Sequence, residues 1–369
     1  MKNKKPVIVI VTPQGIGGIT TMAESILQAW TFETPELILF RVPRHSFRGW
    51  LEYPFSVIKF IFLLLFKNIK VCHINLSTGG SPLRKMPYIL LAKSFGSAIV
   101  LQIHSGKFDY VYDSTLTSNV YKAIVRLEFR LACGILTLSN RQRLYFQRSD
   151  LRKGKQIGYL PNAVPVTLED CNLNKAKIKK YDFVFVGRFS NEKGASDLLE
   201  ALSRIKNFQI SLAVVGTNEL GMDLPSIAKK IDPHRLTFFG EVARDRVKSI
   251  LEESSVLVLP SHVENFPLVI LEAFRSRIPV ISTPVGEIPV LIENNITGTL
   301  VPVHDISALS SALESYRCDP ERAIAEGNRG FEKVENHFNL GDYPRKLLEA
   351  YTQFGVRIEG EATYENSKS

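Results

Sequence analysis

The chain has 369 residues, enough for two domains that each bury a core of their own. Its composition, 45% hydrophobic and 22% charged, is that of an ordinary globular protein. Charge is unevenly distributed: residues 1–165 hold 22 Lys and Arg against 8 Asp and Glu, a net of +14, and the remainder holds 24 against 29, a net of −5. We therefore expect an anionic partner for the first half. No nucleic-acid recognition motif accompanies it, so anionic lipid or a phosphate-bearing acceptor is expected instead.

The cysteines and the start of the chain both favour a cytoplasmic protein. The four cysteines contain no C-x-x-C pair, so they suggest neither a disulfide framework nor a cysteine zinc site; they are Cys72, Cys133, Cys171 and Cys318. The first apolar run is about six residues long and is followed by Pro and Gly, so it is too short for a signal peptide. It predicts a buried first strand.

The longest apolar stretch, VIKFIFLLLF at residues 57–66, leaves two interpretations open. A membrane-spanning helix needs about 20 apolar residues, so this stretch is too short to cross a bilayer. The pattern favours a buried helix. The alternative is an interfacial helix with basic flanks at Lys59, Lys67 and Lys70, which would hold the protein peripherally on the cytoplasmic face of a membrane.

Short β-branched runs alternate with longer helical patterns along both halves, which predicts an α/β fold with two Rossmann-like, doubly wound parallel sheets. We predict domains at residues 1–165 and 166–336, a C-terminal helix within 337–355 that packs back toward the first domain, and a disordered tail at 356–369. Ligands of such sheets bind at the carboxyl ends of the strands, so a cleft between the two domains is the expected site. The predicted strands are residues 7–12, 36–41, 70–74, 98–103, 134–138, 156–160, 182–187, 208–216, 235–240, 255–260, 278–283 and 297–302.

Two loops after predicted strands are candidate phosphate sites. VTPQGIGGIT places Gly15, Gly17 and Gly18 between the first strand and a helix, where backbone N–H groups can approach a phosphate. A tight turn explains these glycines equally well, because the full dinucleotide-binding spacing is missing. In VGRFSNEKG, Arg188 and Lys193 flank a turn before a helix, an arrangement that favours a diphosphate.

Histidine and carboxylate spacing predicts no metal site. His104 ends the fourth strand before a glycine, where ligands gather, although a lone histidine is more often structural. The remaining histidines form no metal-ligand spacing and no D-x-D pair occurs, so we expect neither a metal nor another cofactor.

The segment VENFPLVILEAF, residues 263–274, places Glu264 and Glu272 around a mostly apolar run. Pro267 is expected as the first helical residue, and Asn265 tolerates a left-handed backbone before it. The N–H groups of Leu268 and Val269 would then point out of the start of the helix. A buried carboxylate needs a partner. Because a carboxylate can accept two hydrogen bonds from a vicinal diol, we expect a polyhydroxylated ligand to satisfy both acids.

These motifs together resemble glycosyltransferase family 4, whose members are retaining enzymes of the GT-B fold that use nucleotide-sugar donors. The resemblance extends over nearly the whole chain and includes LPNAV at 160–164, FFGEV at 238–242 and PVISTPVGEIPVLI at 279–292. It implies that Arg188 and Lys193 bind the donor diphosphate and that Glu264 holds the sugar hydroxyls. It further implies that Glu272 binds the ribose, that Val242 lies near the base and that His104 approaches the donor. Further donor-binding positions are Gly15, Gly17, Gly18, Gly187, Asn265, Phe266, Leu268 and Val269.

The resemblance implies a metal-independent, retaining transfer from a UDP- or GDP-linked sugar to a saccharide acceptor in cell-surface polysaccharide or glycolipid synthesis. The acceptor would be lipid-linked, with a polyprenyl diphosphate as one carrier, and presented at an anionic membrane. ENFP in place of the family's usual EGFG, and VVGTNEL at 214–220, leave the sugar and the base open. Two alternatives stay open: a nucleotide-sugar epimerase of GT-B architecture and a catalytically silent nucleotide-sugar-binding protein.

Overall fold

The chain folds into two compact units, each built on one parallel sheet. The computed structural model describes residues 4–15, 17–44, 46–171, 179–205, 210–221 and 236–358. Unit 1 comprises residues 1–162 together with 340–369, and unit 2 comprises residues 163–339. The last helix of the chain thus belongs to unit 1.

Twelve strands form the two sheets among the described residues. In unit 1 the strand order is β2-β1-β3-β4-β5-β6 and in unit 2 it is β12-β11-β10-β7-β8-β9, with every described pairing parallel. Their bounds are β1 Pro6–Pro13, β2 Glu36–Val42, β3 Asn68–Leu76, β4 Ala98–Ile103, β5 Gly134–Thr137, β6 Gln156–Tyr159, β7 Tyr181–Val186, β8 Leu212–Val215, β9 Leu236–Gly240, β10 Ser254–Leu259, β11 Val280–Ser282 and β12 Gly298–Leu300.

Helices follow the strands in the alternation that a doubly wound sheet requires. The described helices are α1 Gly18–Gln28, α2 Phe47–Phe66, α3 Ser81–Ser94, α4 Phe108–Asp113, α5 Asn119–Leu131, α6 Asn140–Arg148, α7 Leu168–Cys171, α8 Ala195–Arg204, α9 Arg244–Glu252, α10 Leu268–Arg275, α11 Ile288–Leu291, α12 Ile306–Cys318, α13 Pro320–His337 and α14 Tyr343–Gln353. Two short 3-10 turns occur at Asn191–Lys193 and Leu340–Asp342.

The predicted two-sheet architecture is confirmed strand by strand. Each of the twelve predicted runs overlaps one strand of the structure, although residues 208, 209 and 235 of these runs lie outside the described part. The apolar runs became central strands because both faces of a doubly wound sheet are covered by helices. In β1, for example, Val7 through Val11 are all at most 1% exposed. Most of the tail predicted as disordered, residues 359–369, also lies outside the described residues.

Helix α14 is attached to the sheet of unit 1 by buried polar contacts. The hydroxyl of Tyr351 lies 2.9 Å from Nδ1 of His73 on β3, and the other ring nitrogen of His73 lies 3.0 Å from Oε1 of Gln102 on β4. Gln102 also donates to the hydroxyl of Tyr343 at 3.3 Å. Gly134 permits close packing, because a Cβ built there would lie 2.1 Å from the ring of Phe354. These contacts make the C-terminal helix part of the unit 1 core.

Helix α2 departs from the sequence prediction in both length and burial. It spans 20 residues, Phe47–Phe66, so it is twice as long as the apolar stretch that predicted it. Its length and composition suffice to cross a membrane, and 22% of its most apolar window is buried. Four of its residues are buried: Gly49, Ser56, Phe60 and Leu64. The prediction of a buried helix was therefore wrong, because only one face of α2 packs on unit 1.

Candidate active site

Two loops at the carboxyl edge of the unit 2 sheet are tied together by backbone contacts. The loop after β7 ends at Gly194, whose φ of +72 lies in the left-handed region. A Cβ at this position would lie 1.9 Å from the carbonyl oxygen of Pro260, directly after β10, so only glycine allows the two loops to approach this closely. The backbone N–H of His262 donates to the carbonyl of Glu192 at 2.9 Å and closes the junction.

This junction brings together Lys193 and Glu264, which are 71 positions apart in sequence. Lys193 Nζ lies 2.5 Å from Glu264 Oε1, and the hydroxyl of Ser261 donates to the same oxygen at 3.0 Å. The two side chains are 19% and 8% exposed, so the pair is largely shielded from water. The sequence predicted a ligand as the partner of Glu264; the structure provides protein partners instead, which satisfy the carboxylate before any sugar arrives.

Arg188, the second predicted diphosphate ligand, also contacts carboxylates. Its guanidinium lies 3.2 Å from Glu219 Oε2 and 3.9 Å from Glu192 Oε1, and its side chain is half exposed. Solvent weakens such pairs, so an incoming phosphate can replace them at low cost. Glu219 comes from the segment at 214–220 that departs from the family pattern. Gly187, just before Arg188, has a φ of +147 and lies against Gly216 at the end of β8, where a Cβ would meet the Gly187 carbonyl oxygen at 1.9 Å.

The start of α10 faces the same region without a side-chain cap. Pro267 is the N-cap residue and the helix begins at Leu268, one position later than the sequence predicted. Asn265 tolerates a left-handed backbone but does not adopt one, since its φ is not positive. Pro267 provides no side-chain cap, and the first N–H groups of a helix lack intrahelical partners, so those of Leu268 and Val269 are available to an anion. Phe266, just before Pro267, is buried.

Gly286, in the loop after β11, supports the segment that carries Glu264. Its φ is +59, and a Cβ there would lie 2.4 Å from the carbonyl oxygen of Glu264. The next residue, Glu287, donates its backbone N–H to the carbonyl of Asn265 at 2.9 Å. Sequence reasoning included this stretch in the resemblance but missed the role of the glycine, because only the fold shows which backbone lies opposite.

Glu272 lies on the open side of α10 and not in its buried core. Val269 and Glu272, three positions apart, are both partly exposed, whereas Leu268, Ile270, Leu271, Ala273 and Phe274 are buried. Partial burial raises the pKa of the Glu272 carboxyl, and the nearby Arg275 and Arg244 oppose that shift. Val242, predicted near the base, is partly exposed just before α9. Within the described part of the chain, neither position carries a contact that fixes its role, so both assignments stay predictions.

The glycine loop of unit 1 lies beneath an arginine. Gly15 has a φ of +98, and a Cβ there would meet the guanidinium of Arg44 at 2.2 Å. Arg44 Nε donates to the carbonyl of Gln14 at 2.8 Å. Gly17 is the N-cap of α1, which begins at Gly18, and the space beside Gly17 is open for 4 Å. The tight turn is thus present, and an exposed cation lies over it.

His104 is held as a neutral ring at the end of β4. Its Nε2 lies 3.0 Å from Asn75 Oδ1, and its backbone N–H donates to the carbonyl of Leu76 at 2.8 Å. Burial, reinforced by the positive charge of His73 and Lys85, lowers the pKa of His104 to about 3. Lys85 donates to the Asn75 backbone carbonyl and, at 3.0 Å, to Ser81 Oγ. Asn75 and Lys85 were missed, since neither belongs to a motif.

The structure also assembles one group of side chains that could hold a metal ion, among the residues it describes. Asp197 on α8, His262 after β10 and His304 after β12 place their ligand atoms within 4.8 Å of one another. Asp197 Oδ2 lies 2.9 Å from His262 Nε2 and 3.3 Å from His304 Nδ1. Sequence spacing predicted no such cluster, because its members are up to 107 positions apart and meet only at the edge of the sheet. As it stands, the cluster joins the loop of Glu264 to α8.

Solved structures share the architecture of both units. The structure of HepE from Anabaena in complex with UDP-glucose superimposes with a TM-score of 0.70 at 14% sequence identity, and the match covers 94% of this chain and 99% of that one. Two doubly wound parallel sheets that match such structures define the GT-B class, and the predicted fold is confirmed.

The family follows from the sequence of unit 2. Residues 171–331 match the family described as glycosyl transferases group 1. Alpha-D-kanosaminyltransferase of Streptomyces kanamyceticus is 26% identical over 73% of this chain and 74% of its own length. An uncharacterized 41.2 kDa protein in the cps region of Klebsiella pneumoniae is 24% identical over 81% and 84%, respectively. Unit 2 therefore carries a group 1 glycosyltransferase domain, and the protein is a glycosyltransferase. Predicted membership of this group is confirmed, and the narrower family 4 assignment stays a prediction.

Proposed function

We propose that the protein transfers a sugar from a UDP- or GDP-linked donor to a saccharide acceptor, with retention of anomeric configuration, in cell-surface polysaccharide or glycolipid synthesis. The similarity to HepE, solved with UDP-glucose, supports the nucleotide-sugar donor. The relative in the cps region of Klebsiella pneumoniae supports a role in polysaccharide synthesis. The single observation that carries the proposal is the shielded Lys193–Glu264 pair at the carboxyl edge of the unit 2 sheet.

In this proposal the donor replaces interactions that the protein already makes. The diphosphate takes Lys193 from Glu264 and Arg188 from Glu219, and the uncapped N–H groups of α10 add further donors to its oxygens. Once Lys193 turns to phosphate, Glu264 has lone pairs for two sugar hydroxyls. Glu272 binds the ribose hydroxyls in the same way. Separation of the Lys193–Glu264 pair therefore requires both parts of the donor, because the diphosphate binds Lys193 and the sugar hydroxyls bind Glu264.

Transfer requires no strong base in the protein. The bond between the anomeric carbon and the diphosphate oxygen breaks, and the acceptor oxygen forms its bond to the same face of that carbon. The acceptor proton passes to the departing phosphate oxygen, so atoms and charges balance without a protein nucleophile. Lys193 and Arg188 stabilise the negative charge that develops on the leaving group, which is the largest electrostatic demand of the reaction.

The acceptor and the location complete the proposal. We expect a lipid-linked saccharide, with a polyprenyl diphosphate as one carrier, presented at the anionic cytoplasmic face of a membrane. The net charge of +14 over residues 1–165 supports an anionic acceptor environment. All four cysteines are free thiols, in keeping with a reducing compartment. No metal or other cofactor is required by this chemistry.

Donor identity and stereochemistry test the proposal together. A panel of UDP- and GDP-sugars is screened for a rise in melting temperature, because a ligand of the native state stabilises it. The stabilising donor is then incubated with polyprenyl-diphosphate-linked monosaccharides, and the anomeric configuration of the product is read by NMR. A product with the donor's configuration supports the proposal, and an inverted product contradicts it. Release of an epimerised free sugar would indicate a nucleotide-sugar epimerase. Donor binding without turnover would indicate a catalytically silent nucleotide-sugar-binding protein.

A further inference from the structure

Helix α2 presents a continuous apolar stripe to solvent. The stripe consists of six residues spaced by three or four positions, each between 49% and 84% exposed: Phe47, Leu51, Phe55, Ile58, Phe62 and Phe66. Trp50 and Leu65 flank it and are 63% and 53% exposed. Such spacing lines one face of a helix from end to end. Contiguous apolar surface of this kind marks a binding surface and not a random scatter of exposed side chains.

The opposite face of α2 fixes the helix flat against unit 1. Phe60 is fully buried and packs edge to face against Phe40 and Tyr88, with ring centroids 4.9 and 5.2 Å away. Near the other end, the hydroxyl of Tyr53 donates to the carbonyl of Arg84 at 2.6 Å. The helix is therefore held along its length, and its stripe points away from the core. A helix packed in this way cannot also cross a bilayer.

Basic side chains border the stripe. With about 100° of rotation per residue, Arg48 and Lys59 fall on the same side of the stripe, within about 70° of its centre line. Arg48 is 90% exposed and pairs with Glu52, whereas Lys59 is exposed and pairs with no carboxylate in the described part of the chain. Long basic side chains at the edge of an apolar face can reach lipid phosphates while the face itself is buried.

We propose that α2 lies in the plane of an anionic membrane surface, with the stripe inserted at the boundary between headgroups and acyl chains. A second copy of the chain would have to bring two strongly basic halves together, each with a net charge of +14 over residues 1–165. Anionic lipid removes that repulsion and adds attraction, so charge complementarity selects the membrane over the dimer.

The inference rests on the proposed function only for its purpose, which is to bring unit 1 to a lipid-linked acceptor. Membrane binding itself needs neither donor nor acceptor. A protein that binds vesicles without transferring sugar would refute the proposed function alone. A protein that turns over donor without binding vesicles would refute this inference alone.

The first experiment is flotation of the full chain with vesicles of phosphatidylcholine alone or with about 30% phosphatidylglycerol. We expect the wild type to float with the anionic vesicles and to dissociate in high salt. The double variant Phe55→Gln with Phe62→Gln should lower partitioning by about tenfold for each side chain removed. Arg48→Gln with Lys59→Gln should lower it by about fivefold for each charge.

Matched controls lie in unit 2. Leu168→Gln with Ile324→Gln removes two apolar side chains that are 82% and 60% exposed there, and it should float like the wild type. Equal flotation of the Phe55 and Phe62 variant, or no flotation of the wild type with anionic vesicles at low salt, overturns the inference. Two other results also overturn the inference. The first is a concentration-dependent dimer that forms without vesicles and is abolished by the Phe55 and Phe62 variant. The second is resistance to extraction at alkaline pH, which would indicate a membrane-spanning helix.

Trp50 provides a direct reading of insertion. The chain has two tryptophans, and Trp30 donates its indole N–H to the carbonyl of Pro35 at 2.9 Å inside unit 1. In a Trp30→Phe background, Trp50 is the remaining reporter. We expect its emission to shift to shorter wavelength with anionic vesicles and to be quenched by lipids brominated near the headgroup. An unchanged spectrum in vesicles that pull down the protein would show that another surface binds.

Discussion

The two units hold positive charge in different ways. Unit 2 contains the predicted diphosphate ligands, and both are already engaged: Lys193 with Glu264 and Arg188 with Glu219. In unit 1, the predicted site residue His104 is neutral, and the excess of positive charge over residues 1–165 is spread along the sequence. Charge that is paired and shielded recognises a ligand at short range, whereas distributed charge attracts at long range. This difference agrees with our proposals, in which unit 2 recognises the donor and unit 1 is attracted to a surface.

Exposed apolar side chains show the same division. Among the described residues, 17 large apolar side chains are exposed in unit 1 and 4 in unit 2. Eight of the 17 belong to α2 alone. A unit that only bound small polar ligands would have no use for this surface. Both kinds of asymmetry therefore favour the same interpretation, in which unit 1 meets an extended partner.

The largest expected effect is a loss of turnover when a paired cation of unit 2 is removed. Lys193→Ala and Arg188→Ala should each reduce turnover by about a hundredfold, the effect typical of lost electrostatic stabilisation of a leaving group. Initial rates at saturating donor measure this. Arg204→Ala and Lys180→Ala are the controls, because these cations of unit 2 pair with Glu200 and Glu253 away from the loop junction. They should retain wild-type rates.

Removal of Lys193 also leaves the Glu264 carboxylate without its cation, which can destabilise the fold. The double variant Lys193→Ala with Glu264→Gln separates the two effects, since the amide carries no charge. We expect it to melt near the wild-type temperature and to stay inactive. A folded Lys193→Ala protein with wild-type turnover would contradict the assignment of the diphosphate site.

The second effect concerns acid stability and belongs to unit 1. Burial lowers the pKa of His73 to about 4 and that of His104 to about 3, against 6.5 in the unfolded chain. Below pH 6.5 the unfolded state binds protons that the native rings do not. The free energy of unfolding should thus fall as the pH drops toward 4, by up to about 1.4 kcal/mol per pH unit for each histidine.

Urea unfolding between pH 6.5 and 4.5 measures this slope. His104→Gln removes one of the two groups and should make the slope shallower, and His337→Gln, at an exposed position of unit 2, is the matched control. The slope is compared and not the absolute stability, because His104 also bonds to Asn75. An identical slope in His104→Gln and wild type would show that the pKa of His104 is not lowered. It would contradict the neutral His104 on which the comparison of the two units depends.

The strands of both sheets could be predicted from the sequence, but the side-chain contacts between the loops that follow them could not. Each strand is a local pattern: β4, Ala98–Ile103, coincides with the predicted run because five of its six residues are apolar, which suffices to mark it. Lys193 and Glu264 were singled out separately, but their contact depends on Gly194 approaching Pro260, which no local pattern contains. Glu264 could be recognised as an acid that needs a partner, and the partner itself could not be identified.

Helix α2 shows a second limit of sequence patterns. Gly49 and Pro54 lie inside the helix and interrupt the apolar run, so only its last ten residues read as helical. The usual inference that apolar residues face the core also fails, since Ser56 is buried while Phe55 is exposed. Both failures have one cause. In the proposal that this face of α2 meets a membrane, its residues suit that partner and not the core of their own chain.

The last prediction is that removing or adding divalent metal does not change turnover, and it concerns unit 2. Because Lys193 and Arg188 supply the positive charge that a divalent cation would otherwise supply, we expect turnover to be unchanged by EDTA and by added Mg²⁺ or Mn²⁺. Initial rates after dialysis against the chelator measure this. The cluster of Asp197, His262 and His304 makes the test specific. If EDTA inhibits the wild type and His304→Ala shows the same loss without EDTA, unit 2 uses a metal, and its paired cations are not the sole counter-charge for the donor.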